Sequence, residues 1–262
     1  MEPNKPDFLQ KMTPWASLQA FGKQIKIMDD CNVFFFESGK NQSKHLLLIH
    51  GLGDEADTWR HVFVPLSEKI HVVALDLPGF GRSDKPKVDY SPPFMMDAII
   101  GLMNQLEIQE ATIIGSSLGA ILAHGITVTR PERVKSLILV GGALLQPKPS
   151  LDLSLRLMQV PFLGEWFYTK LRTNPQAAFD SLKNVYYKLS ALPKEDQEFL
   201  FTRVNQRVWS DDQRRAYFST LRNMIPWLGS MQKSLPQQLS AVSTPTLLIR
   251  GEFDSLYPEA NA

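Results

Sequence analysis

Ile113-Ile114-Gly115-Ser116-Ser117-Leu118-Gly119-Ala120 is the stretch that decides how this chain is read. It holds a Gly-x-Ser-x-Gly pattern between two different kinds of segment. Before it runs Ala111–Ile114, short and apolar as a buried strand would be. After it, Leu118-Gly119-Ala120-Ile121-Leu122-Ala123 is apolar all round, as a helix buried beneath others would be. A serine on a sharp strand-to-helix turn is held in strained backbone geometry with its hydroxyl exposed above the sheet. Glycines must flank it, because side chains there would strike neighbouring backbone. The N-terminus of the following helix also favours negative charge developing nearby. In that setting the pattern points to Ser117 as a nucleophile. A Gly/Ser turn without chemistry is the plain alternative.

Upstream, Leu47-Leu48-Ile49-His50-Gly51-Leu52-Gly53 also follows directly on a strand-like run. Attack of a serine on a carbonyl creates an oxyanion, which needs two fixed N–H donors. The backbone N–H of Leu118, immediately after the nucleophile, is one candidate. Leu52, in this glycine-rich loop, is the other. Alone the loop would be an ordinary strand-to-helix connection; its pairing with the serine turn is what suggests the oxyanion role. His50 is expected to shape the loop rather than carry a proton. His124 lies about two helical turns beyond Ser117 and is expected to be a satisfied core residue pointing away from the hydroxyl.

Further out, Gln24–Met28 and Asn32–Glu37 read as two early strands forming a hairpin at one edge. His45–Ile49, His71–Leu75 and Val134–Val140 suit buried parallel strands, and Thr246–Arg250 after Pro245 is another run of that kind. Trp59, Val62, Phe63 and Leu66 share one helical face, as do Phe94, Ala98, Leu102 and Leu106. From about 145 to 236 the strand signal stops. Asn174 before Pro175, and Ser210 with Gln213 three residues on, mark helix starts there. The fold class is α/β: a mainly parallel central sheet with helices on both faces and an inserted helical region. Three units follow: a core over 1–144, a helical insertion over 145–236 packed over the end of the sheet, and a return to the core over 237–262.

Together these stretches resemble the α/β-hydrolase superfamily, and the likeness extends over nearly the whole chain. Asp76-Leu77-Pro78-Gly79-Phe80-Gly81-Arg82-Ser83 is similar to the family's turn after the fourth strand, where Gly79 and Gly81 would permit a tight loop. The helical insertion matches the family's cap, which closes the pocket above the serine. Gly251-Glu252-Phe253-Asp254-Ser255-Leu256-Tyr257-Pro258 is similar to the segment after the seventh strand, and the resemblance makes Asp254 the acid that orients a catalytic histidine. Serine at position 117 argues against dehalogenases and epoxide hydrolases of this family, which place an aspartate there. Carboxylesterases, carbon–carbon bond hydrolases and cofactor-free perhydrolases stay open.

In this family the order is Ser, then Asp or Glu, then His. Here His45, His50, His61, His71 and His124 all precede Asp254, and none follows it. The family's last strand and last helix have no counterpart either, so Thr246–Arg250 is expected to be an unprotected sheet edge. A serine hydroxyl is a weak nucleophile without a neighbouring base. Loss of one triad member leaves an acceleration of only roughly 10³–10⁴-fold. Three explanations stand: a fragment of a longer product, favoured by the break in mid-pattern; a pseudoenzyme that binds a small molecule in the old pocket; or a partner chain that supplies the histidine.

Composition narrows the rest. Lys plus Arg total 28 against 27 acidic residues, a formal net charge of +1, which gives no electrostatic reason to expect nucleic acid or an anionic membrane as partner. No apolar run approaches the ~20 residues of a membrane span. The start has no basic region followed by an apolar run, and Cys31 is the single cysteine. A cytoplasmic setting is expected. Scattered histidines suggest no metal site. Gly79-Phe80-Gly81 lacks a third glycine where Asp84 stands, so no nucleotide cofactor is implied. The reading is a serine hydrolase acting by acyl transfer on a small, largely apolar ester or related carbonyl, with no cofactor. Its other-class alternative is a non-catalytic small-molecule-binding protein of the same fold.

Overall fold

A computed structural model describes residues 11–28, 30–144, 158–239 and 243–254. The apolar runs pair into one sheet. Its strands are β1 (Gly22–Met28), β2 (Cys31–Ser38), β3 (His45–Ile49), β4 (His71–Leu75), β5 (Ala111–Ser116), β6 (Val134–Val140) and β7 (Thr246–Ile249). They lie in the order β1-β2-β4-β3-β5-β6-β7. β1 and β2 form the expected antiparallel edge hairpin, β2 meets β4 antiparallel, and every later pairing is parallel. β4 is buried at all its positions, which is why its sequence is continuously apolar rather than alternating.

The helices are α1 (Phe63–Ser67), α2 (Pro92–Gln105), α3 (Leu118–Thr129), α4 (Leu163–Lys170), α5 (Pro175–Asp180), α6 (Lys194–Trp209) and α7 (Asp211–Leu239). α2 and α3 cover one sheet face, packing Ile99, Leu102 and Leu122 on Leu47, Ile113 and Leu137. On the other face Phe63 of α1 packs against Phe36, Leu46, Leu48 and Val72. Each such side chain contributes about 1.5–3 kcal/mol by leaving water. α3 is buried from Leu118 through Thr127, matching its all-round apolar sequence.

One helix differs from its periodicity. Residues 59–66 do not form a single helix; a 3₁₀ turn over Ala56–Trp59 is followed by the short α1, and Val62 is 42% exposed. Pro65 has no N–H to donate back to the carbonyl of His61, so the α-helical ladder cannot run through it.

Between β6 and β7 the regular elements described are all helical. Asn174 Oδ1 accepts the Ala177 N–H at 3.0 Å with Pro175 at the first helical position, and Ser210 Oγ accepts the Gln213 N–H at 3.2 Å. α7 runs past residue 236 to Leu239. β7 pairs only with β6 among the described residues, and Leu247 and Ile249 on it are 55% and 44% exposed. No described helix is long and apolar enough to cross a membrane.

Candidate active site

β5 ends at Ser116 and α3 begins at Leu118, leaving Ser117 alone at the turn with φ 52° and ψ −114°. A non-glycine residue held in so sparsely populated a conformation costs of order 1–3 kcal/mol. Surrounding bonds hold it there. Its N–H donates to Val140 O at 2.9 Å, and its carbonyl accepts from Ala120 at 3.0 Å and Ile121 at 3.1 Å. The flanking glycines are sterically required: a Cβ on Gly115 would sit 2.2 Å from Gly119 O, and one on Gly119 2.2 Å from Ile49 O. Ser117 itself is exposed.

The loop after β3 approaches this serine. A Cβ on Gly51 would lie 3.3 Å from Ser117 Cβ and 3.9 Å from its Oγ. The Asp54 N–H closes a four-residue turn onto Gly51 O at 3.2 Å, with Gly53 in the left-handed region at φ 75°. Tyr217 of α7 packs against Gly53, and its ring lies 5.6 Å from that of Tyr168. Burial pushes the hydroxyls of both tyrosines up, so they stay protonated over this loop. Leu52 lies inside the turn. Leu118 is the first residue of α3, where a backbone N–H has no acceptor within its own helix.

Asp254 follows β7 in a turn closed by its own N–H to Gly251 O at 3.1 Å. A Cβ on Gly141 would lie 3.1 Å from Asp254 Oδ2. Gly141 directly follows Val140, the acceptor of the Ser117 N–H, so serine and acid flank the same end of β6. Phe253 stacks on Tyr187 of the helical segment at 4.2 Å and 5°.

All five histidines are described, and each is engaged away from the Ser117 hydroxyl. His50 is fully buried; its Nδ1 donates to Gly51 O at 2.7 Å and its Nε2 accepts the Leu77 N–H at 2.9 Å, which makes it a brace for the loop. His124 accepts the Leu144 N–H at 3.2 Å, and burial pushes it down to about 4. His45 and His71 meet at 2.9 Å at the starts of β3 and β4, with His71 bonded on to Glu37 at 3.0 Å. His61 reaches Asp196 at 2.9 Å.

Two groups of charged residues escaped the sequence reading. Asp76 Oδ2 accepts from the N–H and Nε of Arg82 at 2.7 and 2.8 Å, and a Cβ on Gly81 would intrude to 2.3 Å from that oxygen. This turn is structural, as its two glycines suggested. The second group ties α6 to the core: Arg60 to Asp196, Arg203 to Glu55, and Arg207 to Asp54 and Glu55. Its signal was the run Asp54-Glu55-Ala56-Asp57 directly after the glycine loop, answered by arginines four apart on one helix. Among the described residues no group of three or more potential ligands could hold a metal ion.

One cavity of about 520 Å³ is bounded by Arg60, His61, Tyr186 and Asp196, and another of about 320 Å³ by Met96, Arg130 and Trp227. Ser117 lines neither. Phe253, beside the acid, is 60% exposed.

Comparison with known proteins follows the same outline. A family model described as alpha/beta hydrolase fold matches residues 44–262. An uncharacterised protein of Mycobacterium tuberculosis is 30% identical over 232 residues, covering 83% of this chain; the chain spans 63% of that relative's length. The 2-hydroxy-6-oxo-6-(2'-aminophenyl)hexa-2,4-dienoic acid hydrolase of Metapseudomonas resinovorans is 25% identical over 235 residues, 87% of this chain and 73% of that protein. The solved meta-cleavage product hydrolase from Pseudomonas fluorescens IP01 superposes with a TM-score of 0.72 at 24% identity, over 92% of this chain and 83% of that one.

Proposed function

Because the chain belongs to the alpha/beta hydrolase fold family, we propose that it is a serine hydrolase working by acyl transfer on a small, largely apolar ester or related carbonyl compound. Ser117 attacks the carbonyl carbon, and the N–H groups of Leu52 and Leu118 hold the oxyanion. Asp254 orients the histidine that takes the Ser117 proton and returns it to the leaving group. In this reading that histidine is none of the five in the sequence and is supplied from outside these 262 residues. The relatives named for cleaving meta-cleavage products keep a carbon–carbon bond substrate beside an ester as the two bond types to try first.

The observation that carries the reading is the Ser117 backbone: strained at φ 52°, exposed, and at the head of a buried helix. Strain of this kind has no packing purpose, since glycine would occupy the turn at lower cost. The test is to treat the folded chain with a fluorophosphonate probe and find the modified residue by mass spectrometry. Labelling at Ser117 that is slow in the chain alone, faster with imidazole supplied as the missing base, and abolished by Ser117→Ala is the expected result. Labelling elsewhere, or none in a demonstrably folded chain even with imidazole present, overturns the catalytic reading for this chain.

A second reading has one specific observation in its favour. With all five histidines engaged elsewhere, the fold would serve as a non-catalytic binder of apolar small molecules. Ligand affinity retained by Ser117→Ala, together with absent labelling, would favour it.

A further inference from the structure

The loop that carries Leu52 is braced at its start by His50 on Gly51 O and is otherwise rich in glycine. Gly51 and Gly53 both lie in it, and glycine leaves the backbone free. What closes the turn is Asp54, through its N–H to Gly51 O at 3.2 Å. The side chain of the same residue is held by helix α6: Arg207 Nη2 lies 2.5 Å from Asp54 Oδ1 and 3.0 Å from Glu55 Oε2, and its Nε donates to Glu55 Oε2 at 3.2 Å. Glu55 is 1% exposed and also meets Arg203 Nε at 3.2 Å. A guanidinium presents a rigid fork of donors, so one arginine can grip acceptors on two successive residues. Removing it would leave Asp54 without its arginine and the buried Glu55 with Arg203 alone.

We propose that Arg207 is a positioning residue: by clamping the Asp54–Glu55 step it sets the turn that carries Leu52, the oxyanion donor of the proposed mechanism, so that the seating of helix α6 and the assembly of the oxyanion site are one event. The catalytic consequence rests on the hydrolase reading of Ser117; the clamp does not. Arg207 touches neither Ser117 nor the oxyanion position, and acts through Asp54.

The test follows backbone amide hydrogen exchange over residues 51–56 together with the saturation kinetics of fluorophosphonate labelling, the latter with imidazole supplied as the base. The chains compared are the parent, Arg207→Met, Arg207→Lys and Arg172→Met. Arg172 is the control because it bonds Val208 O, Trp209 O and Asp211 within the helical segment and leaves the loop alone. Arg207→Met should speed exchange over 51–56 by about tenfold, with 45–49 of β3 unchanged. It should lower the maximal labelling rate by a similar factor without shifting the half-saturating probe concentration. Arg207→Lys should recover part of both, since one point charge can hold one carboxylate. The proposal is overturned if Arg207→Met leaves loop exchange unchanged, if Arg172→Met raises it equally, or if labelling keeps its parent rate while exchange rises. If the loop responds but Ser117 is unlabelled in every chain, the clamp stands and the hydrolase reading fails. Should Arg207→Met not fold, Asp54→Asn, which retains the turn N–H, is read in the same way.

Discussion

Gly119 and the carbonyl of Ile49 meet so closely that a Cβ on the glycine would lie 2.2 Å from that oxygen. Helix α3 therefore seats on the end of β3 through bare backbone. Ile49 leads straight into His50 and Gly51, so this one contact brings the serine turn and the glycine loop within about a side chain of each other.

Gly119→Ala should consequently cost about 3 kcal/mol or more, because carbonyl and helix cannot both hold position against the extra methyl. Gly229, on the exposed side of α7, has nothing within 4 Å of its Cβ position. Gly229→Ala should stabilise by about 0.5–1 kcal/mol. Urea unfolding of both variants measures the contrast; equal effects would refute the close seating.

If the Ser117 backbone is strained by the turn, glycine should relieve it. Ser117→Gly is expected to be more stable than Ser117→Ala by about 1 kcal/mol, although both lose the hydroxyl. Thermal unfolding of the pair decides, and an alanine variant at least as stable would remove the strain argument.

His124 makes stability depend on pH. Its folded pKa, pushed down to about 4 by burial, lies below the ordinary value near 6.5. The unfolded chain thus takes up a proton that the folded chain refuses. Stability is fully present above about pH 6.5 and falls as pH drops toward 4, by about 3 kcal/mol from this residue. Denaturation curves across that window should flatten in His124→Gln.

Arg82 lies 2.5 Å from Asp57 Oδ2 and 2.8 Å from Asp76 Oδ2. Burial opposes ionisation of Asp76, but the guanidinium outweighs it and holds that carboxyl below the usual range. Arg82→Met leaves two buried carboxylates unmatched and should destabilise by about 3–5 kcal/mol at neutral pH. The parent's advantage from Asp76 is present above about pH 4 and lost as pH falls through the depressed value, so the gap between the two should narrow in acid. A gap constant with pH would contradict the pairing.

Much of this molecule was legible in one dimension. The seven strands appear close to where apolar runs and turn residues indicated, because strand formation depends on alternation and bulk within five or six residues. The Ser117 turn was legible in part for a similar reason: a side chain on Gly115 would strike Gly119 close along the chain, whereas the contact that demands Gly119 is with Ile49, far away in sequence. Residues 59–66 misled, since the spacing of Trp59, Val62, Phe63 and Leu66 is helical while Pro65 forbids the ladder.

Sequence alone therefore determined the order of elements and marked the serine turn and the glycine loop, through local residue types and spacing. Tertiary structure alone decided that Arg207 grips Asp54, 153 residues earlier, and that Arg60 meets Asp196, 136 residues later. Buried charges must find opposite partners wherever packing brings them, and no local pattern records which surfaces will meet.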